Sequence, residues 1–450
     1  MADAEDQVEY FLRLGMATTA QEITGPVRER VTLLAIEDRS SRWLSEKLVD
    51  REHQDAIAVR ERLRDIVEFE YRGGRQVMLA SFEPSRTLED FADRLGVGTD
   101  QAPSWAIPWG TKTAGRELFR SLDIPVATAS GLAMSVDELA DALVPLVRAG
   151  HRRFVLKLDS TEFAGAGLGN ALFEVDHGTA AAADLSSAIT ASLPQAAPID
   201  PELDWPGFVA ALAKSGVLAE ELLTGDEFRS PSFQGRLTPD GPRAVSTHEQ
   251  LLAANGQTYL GCTFPAAESY RALLVEYGLS VGKALCDKGI ERGDYGVDFI
   301  AVVREGRWFV YGCEVNMRAT GTRHGFDLST TLLGVTPDAD GELRVGGERR
   351  VCLTADSIVS DRYRALRPRD LIAAVERSPL HYDPIRKQGV VLHLLSALPA
   401  YGKFGAVCVA DRPETAHQLL ADLRVLADKA CGTAASAVSE INTADGDHLP

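Results

Sequence analysis

Three glycines alternate at Gly165, Gly167 and Gly169, and what flanks them constrains the fold more than their number. The run before them, FVLKLD at 154–159, has a strand pattern, and so does ALFEVD at 171–176. A Rossmann or Walker loop passes from a strand into a helix whose N-terminal dipole holds phosphate. Here the chain passes from strand to strand, and no G-K-[ST] closes the loop, so a hairpin flap is expected. Glycine lets backbone N–H groups come close to phosphate oxygens, which suits a flap to folding over a triphosphate. Lys157 lies on the strand leading into the flap. The chain has nine lysines against 38 arginines, so a lysine on an apolar strand stands out. The plainer reading is a mobile surface hairpin with a snorkelling side chain.

A second hairpin is written in residues 296–303 (GVDFIAVV) and 307–316 (RWFVYGCEVN), which read as strands joined around Glu305 and Gly306. With Glu305-Gly306-Arg307 as the loop, Asp298 falls directly across from Glu314. Alternation then puts Asn316 on the same face. Two carboxylates and an amide oxygen on one wall are hard ligands suited to Mg²⁺. A slip of one residue would turn Asp298 to the opposite face, and a solvated edge carrying ordinary acids is the alternative.

At 450 residues, with ~150 per domain as a guide, two to four domains are expected. Up to residue 111 strand and helix signals alternate: VTLLAI at 31–36 and QVMLAS at 76–81 as strands, 41–66 and 87–95 as helices. This suggests an α/β module, without a G-x-G-x-x-G fingerprint. Helices follow at 112–122, 136–147, 179–193 and 268–288, with a Pro-rich linker at 194–206. The end of the chain reads strand (390–395), strand (404–410), helix (413–430), a small α+β module.

The 47 basic and 65 acidic residues leave a net charge of −18, which weighs against nucleic acid or an anionic membrane as main partner. Six cysteines, none in a C-x-x-C pair, exclude paired zinc-ribbon spacing and a redox motif. The histidines are scattered without ligand spacing. The opening MADAEDQ is acidic and polar, unlike a signal peptide. Apolar stretches such as 390–400 fall short of the ~20 residues a membrane span needs, so a cytoplasmic protein is expected.

Taken in order, Lys112 before a helix, Lys157 ahead of the Gly-rich flap, AEELLTGDEF at 219–228, and the D…E-x-N-x-R set of Asp298, Glu314, Asn316 and Arg318 resemble the ATP-grasp superfamily. The ends of the chain, VTLLAIEDRSSRWLSEKL and GVVLHLLSALPAYGKFGAVCVA, are similar to those of the pheganomycin-type peptide ligases within it. The resemblance implies an ATP-grasp fold with a preceding α/β domain (1–111), a lid lobe with the flap (112–205), a second lobe with the metal site (206–380) and a small C-terminal α+β domain (381–450). It implies that Lys112, Lys157 and Gly165, Gly167 and Gly169 bind the phosphates of ATP. Glu220, Glu221 and Leu223 would contact adenine, and Glu227 the ribose hydroxyls. Asp298, Glu314 and Asn316 would hold two Mg²⁺, while Arg318, with Lys157, would steady the phosphoryl group and acyl intermediate.

The implied reaction joins the carboxylate of a nonproteinogenic amino acid to the N-terminal amine of a peptide, through an acyl phosphate and with release of ADP. A dipeptide-type ligase, a small-molecule phosphotransferase and a nucleotide-binding protein without catalysis are the other readings, and a homodimer is compatible with all of them. His324 and Arg323, in TGTRHG, are candidates for a base and for binding a substrate carboxylate, against plain rim or surface roles. Residues 228–235 are a candidate lining for the acceptor side. The cluster of Arg362, Arg364, Arg367 and Arg369 reads most simply as a solvated loop.

Overall fold

The computed structural model describes residues 2–19, 30–38, 40–160 and 168–444. The chain divides into two compact units. One is built from Val77–Leu260 and Ala266–Thr320, the other from Met1–Gln76, Gly261–Pro265 and Gly321–Pro450.

The first unit contains two antiparallel arrangements. Four strands run in the order Ala197–Pro198, Asn170–Glu174, Arg153–Leu158, Val217–Glu221. Three helices, Val136–Arg148, Leu185–Ser192 and Trp205–Ser215, carry Leu139, Leu143, Ile189 and Phe208 into the core of this lobe, where they meet Phe154, Leu156 and Phe173. Each helix starts where an oxygen caps it: Ser135, Asp184 and Asp204 accept from the backbone N–H groups of Glu138, Ser187 and Gly207. The second arrangement orders Arg307–Asn316, Gly293–Arg304, Pro231–Thr238 and Gly241–Leu252. The helix Glu268–Asp287 contributes Tyr270, Leu274, Val281 and Leu285 to a core shared with Phe233, Tyr295 and Phe299.

In the other unit, residues 261–264 and the strands Glu348–Val359, Lys403–Ala410 and Gly389–His393 pair antiparallel in that order. The helix Ala2–Thr19 belongs to this unit, and Tyr10 on it accepts a hydrogen bond from the backbone N–H of Leu392 at 3.1 Å. VTLLAI is not a strand: residues 31–38 have no regular structure, with their apolar side chains only partly covered. An apolar run becomes a strand only when it joins a sheet ladder, and residues 31–38 are not part of one. The QVMLAS run shrinks to the two-residue strand Met78–Leu79, paired parallel with Gly98–Thr99. Among the described residues no helix is long and apolar enough to cross a membrane.

Candidate active site

The acidic hairpin places its carboxylates together by a route the sequence did not reveal. Its turn is the two residues Glu305 and Gly306, both with positive φ (51° and 71°), so Arg304 pairs with Arg307. The expected loop Glu305-Gly306-Arg307 is therefore corrected to one residue fewer. Counting back from that turn pairs Phe299 with Gly312, and a regular ladder would continue with Asp298 opposite Cys313. A bulge after Phe299 shifts the register, and Asp298 pairs with Glu314 instead, Gly296 with Asn316. Asp298, Glu314 and Asn316 thus share one face.

Around Asp298 the wall is tied together. Asn316 donates through Nδ2 to Asp298 Oδ2 at 2.9 Å, reserving its amide oxygen as an acceptor. Gln250, on the strand Gly241–Leu252, donates to Asp298 Oδ1 at 2.7 Å. Ser232 lies opposite Asp298 in the ladder on the other side, and its buried hydroxyl makes no hydrogen bond among the described residues. Desolvation, with the Glu314 charge adding to it, pushes the Asp298 carboxyl up to about 7, although Arg318, Asn316 and Lys112 pull it down. Glu314 goes the other way: burial works against its charge, but Lys112, Lys157 and Arg318 hold it below the ordinary carboxylate range. Two acids sharing a low-dielectric wall, one of them reluctant to ionise, are what a hard divalent cation would stabilise, so the donor set fits Mg²⁺.

Both predicted lysines reach this neighbourhood. Lys112 is the first residue of the helix Lys112–Ser121, is buried, and donates to Glu314 Oε1. That helix start is pinned twice. Thr111 accepts from Ala114 N at 3.2 Å, and Asp159 accepts from Thr113 N and Oγ1 at 2.9 and 2.8 Å. Lys157 faces the same way as Glu220 because Glu220 pairs with Val155, two residues earlier on its strand. Its Nζ donates to Glu220 Oε2 at 2.5 Å and lies 3.5 Å from Cys313 Sγ. Burial would lower the Lys157 ammonium, yet Cys313, Glu220 and Glu314 outweigh it and hold it above its usual value. Burial also pushes the Cys313 thiol up, so at neutral pH the carboxylates supply the counter-charge. Arg116 completes the buried cluster, with Nη1 at 2.8 Å from Glu220 Oε1 and Nη2 at 2.6 Å from the Ala127 carbonyl. Arg116 and Gln250 were not among the predicted site residues.

The flap stem forms as expected: Arg153–Leu158 and Asn170–Glu174 pair antiparallel, Lys157 opposite Asn170. Gly169 is buried, its carbonyl accepting from Leu158 N at 3.0 Å, while Gly165 and Gly167 lie outside the described residues. Glu220 is spent on Lys157 and Arg116. Glu221 accepts from Thr128 N at 2.9 Å and pairs with His151 at 3.0 Å. Their strand therefore has its backbone, more than these carboxylates, to offer a base. Leu223 is buried against Ala127 and Val302, and Glu227 is exposed beside Arg229 at 3.5 Å. Arg318 stacks over Phe82 at 5.4 Å and lies 3.8 Å from Glu83. In the 228–235 segment Phe228 is exposed and residues 231–235 are buried strand. Arg323 and His324 open the helix Arg323–Leu333 in the other unit, where Arg323 pairs with Asp327 at 2.7 Å and His324 with Asp356 at 3.1 Å.

Residues 370–423 match the family described as PGM1 C-terminal domain. Over 397 residues the chain is 30% identical to the L-propargylglycine--L-glutamate ligase of Streptantibioticus cattleyicolor, covering 87% of this chain and 77% of that protein. Among solved structures it is similar to carboxyaminoimidazole ribonucleotide synthase from Aspergillus clavatus complexed with ATP, with a TM-score of 0.50 and 16% identity over 82% of this chain and 96% of that one. An N5-carboxyaminoimidazole ribonucleotide synthetase in its ADP complex gives a TM-score of 0.51 and 13% identity over 81% and 93% of the two chains. At such identities the structural likeness speaks for the fold alone.

Proposed function

Because the chain belongs to the ATP-grasp superfamily of carboxylate–amine ligases, we propose that it activates the carboxylate of a nonproteinogenic amino acid as an acyl phosphate and couples it to the N-terminal amine of a peptide. ATP supplies the phosphoryl group, ADP leaves, and the amine displaces phosphate to form the amide. The observation that carries this reading is the convergence of Asp298, Glu314 and Asn316 on one wall, with Lys112 on Glu314 and Lys157 beside them on Glu220. Phosphoryl transfer needs positioning and charge neutralisation more than covalent help, and this is a cluster of fixed charges.

Asp298, Glu314 and Asn316 would hold Mg²⁺, two ions in this reading, which would neutralise and orient the triphosphate when bound. Lys112 and Lys157 would exchange their carboxylate partners for phosphate oxygens, and Arg318 would steady the transferring group. The flap with Gly165, Gly167 and Gly169 would cover the phosphates. The strand of Glu220, Glu221 and Leu223 would receive adenine, and Glu227 the ribose. In domain terms, residues 112–205 and 206–380 would be the two lobes of the clamp, preceded by 1–111 and followed by 381–450. The cytoplasm and an antibiotic-type biosynthesis are the proposed setting.

The likeness of the two ends of the chain to the pheganomycin-type peptide ligases is what favours the peptide acceptor. A second reading, a free amino acid as acceptor, is favoured by the relative whose name pairs L-propargylglycine with L-glutamate. Both are tested by one matrix of carboxylate donors against free amino acids and short peptides, read by phosphate release and product mass. Phosphate release that needs both an acid and an amine supports ligation, and the acceptor column that yields an amide decides between the readings. Release with neither substrate, or ATP–pyrophosphate exchange, would count against both.

A further inference from the structure

Three residues that the sequence scatters over 70 positions meet in the unit that contains Gly321–Pro450: His324, Asp356 and His393. His324 Nε2 lies 3.1 Å and His393 Nε2 3.7 Å from the same Asp356 oxygen, Oδ1. The two imidazoles meet edge to face with centroids 4.7 Å apart, and one ligand atom from each residue falls within 4.8 Å of the others. We propose that these residues form a binding site for a divalent transition metal of the zinc class, held by two imidazole nitrogens and a carboxylate oxygen, with a position left open on the exposed side of His324.

The first argument is an under-satisfied imidazole. His393 is 4% exposed, and its ring nitrogens have only loose partners, the backbone of Ala406 and Asp356 Oδ1 at 3.7 Å, with neither nitrogen in good hydrogen-bond geometry. A buried polar ring whose partners are this loose is under-satisfied, and a metal ion is a partner that an imidazole nitrogen can take up. The second is that the backbone is shaped around the cluster. His393 pairs across the ladder with Gly405, where a Cβ would fall 2.2 Å from its Cε1, so the ring occupies space that only glycine leaves. Asp356 sits in the irregularity between Ala355 and Ile358, where a ladder re-aims its side chains. Leu394, directly after His393, has a φ of 53°, a conformation leucine rarely adopts.

The third argument is chemical. Ligand atoms bound at ~2.0–2.1 Å to one tetrahedral ion stand about 3.3–3.5 Å apart, close to the two His–Asp distances of 3.1 and 3.7 Å already present. Two imidazoles with a carboxylate suit zinc-class ions, whereas the all-oxygen wall of Asp298, Glu314 and Asn316 suits Mg²⁺. His324 is the solvent side of the cluster, with 40% of its side chain exposed, so an ion has a route in. The bare alternative is a His324–Asp356 ion pair with His393 packed against it.

The test uses the full chain without an affinity tag, stripped by chelator and titrated with Co²⁺, whose visible d–d absorption reports a low-coordinate nitrogen and oxygen site. About one equivalent should bind per chain, be displaced by Zn²⁺, and persist in excess Mg²⁺. Asp356→Asn and His393→Ala should weaken binding at least about 100-fold, beyond what losing an outer-shell partner costs. His324→Ala, at the half-exposed position, serves as a second ligand variant should His393→Ala fail to fold. Glu314→Gln should keep the Co²⁺ spectrum, which separates this site from the acidic hairpin. Absence of the spectrum in the stripped wild type, or its survival in both Asp356→Asn and His324→Ala, would overturn the assignment.

Discussion

Asp298 stands opposite Glu314 only because Glu314's strand carries one residue more than its partner there; the turn alone would have paired Asp298 with Cys313. The consequence is a carboxylate pair backed by two lysines, Lys112 on Glu314 and Lys157 on Glu220. A unit charge pair ~4 Å apart at an effective dielectric of ~20 is worth about 4 kcal/mol, and half of that in the transition state alone is roughly 30-fold in rate. Glu314→Gln and Lys157→Met should therefore each lower ADP release at least ~30-fold in a coupled assay at saturating ATP. Wild-type turnover in either variant would remove these residues from the phosphoryl-transfer machinery.

The same wall should give metal binding a pH dependence. Burial pushes the Asp298 carboxyl from the ordinary aspartate range up to about 7, so near neutrality a proton competes with a cation for it. The Mg²⁺ concentration needed for half-maximal stabilisation should rise by up to about tenfold per pH unit below about 7, and level off above. Stability of the metal-free protein should move in the opposite sense. The folded state binds the Asp298 proton more tightly than the unfolded one between about 4 and about 7, so this contribution is present in acid and lost as pH rises through that window. Thermal melts of wild type and Asp298→Asn across that range check it, and equal slopes for the two would refute the assignment.

Arg116 carries a separate expectation. It is buried with Glu220 and Lys157 in a three-way ion cluster, so truncating it strands a carboxylate inside the lobe with one cation instead of two. Removing one partner of a buried pair typically costs ~3–5 kcal/mol, and Arg116→Met should lower the urea-unfolding free energy by about 3 kcal/mol, the retained Lys157 contact sparing the rest. Arg116→Lys should recover part of this. A loss under ~1 kcal/mol would mean that Lys157 alone satisfies Glu220.

Much of this site is written locally, and the parts that are not share a physical cause. The flap stem is legible because the FVLKLD and ALFEVD runs keep their apolar pattern on both sides of the glycines, and the lysines stand out by their scarcity. The facing of Asp298 and Glu314 is the same for a three-residue loop without a bulge as for the two-residue turn with one, and neither a bulge nor a turn length has its own periodicity in the sequence. Strands Pro231–Thr238 and Gly241–Leu252 mix polar and apolar residues without a clean alternation, so Gln250 had no element to be placed on. Arg116 and Glu220 lie 104 residues apart, and His324, Asp356 and His393 come from a helix and two strands. Such partnerships are properties of packing, which spacing along a chain does not encode.

The N-terminal helix offers a clean stability test because one fully buried hydrogen bond joins it to a sheet edge, alongside the part-buried Leu395 N–H to Gln7 Oε1 bond at 3.1 Å and the exposed Arg13–Glu376 pair at 3.0 Å. Gly389–His393 pairs on one side with Lys403–Ala410, which leaves the Leu392 N–H pointing away from the ladder, and Tyr10 Oη accepts it at 3.1 Å. Both residues are fully buried, and burial holds the Tyr10 phenol far above its ordinary pKa, so it stays neutral throughout the accessible pH range. Tyr10→Phe keeps the ring and removes only the acceptor, leaving a buried backbone donor unsatisfied at a cost of ~1–3 kcal/mol. Tyr10→Ala adds a cavity and should cost about 3–5 kcal/mol. Hydrogen exchange separates the two effects. In Tyr10→Phe the Leu392 amide should lose protection selectively while its neighbours on the strand keep theirs, because the helix remains packed. If the Leu392 amide exchanges at the wild-type rate, the bond does not hold the helix, and ring packing with the Gln7 and Arg13 contacts would account for its position.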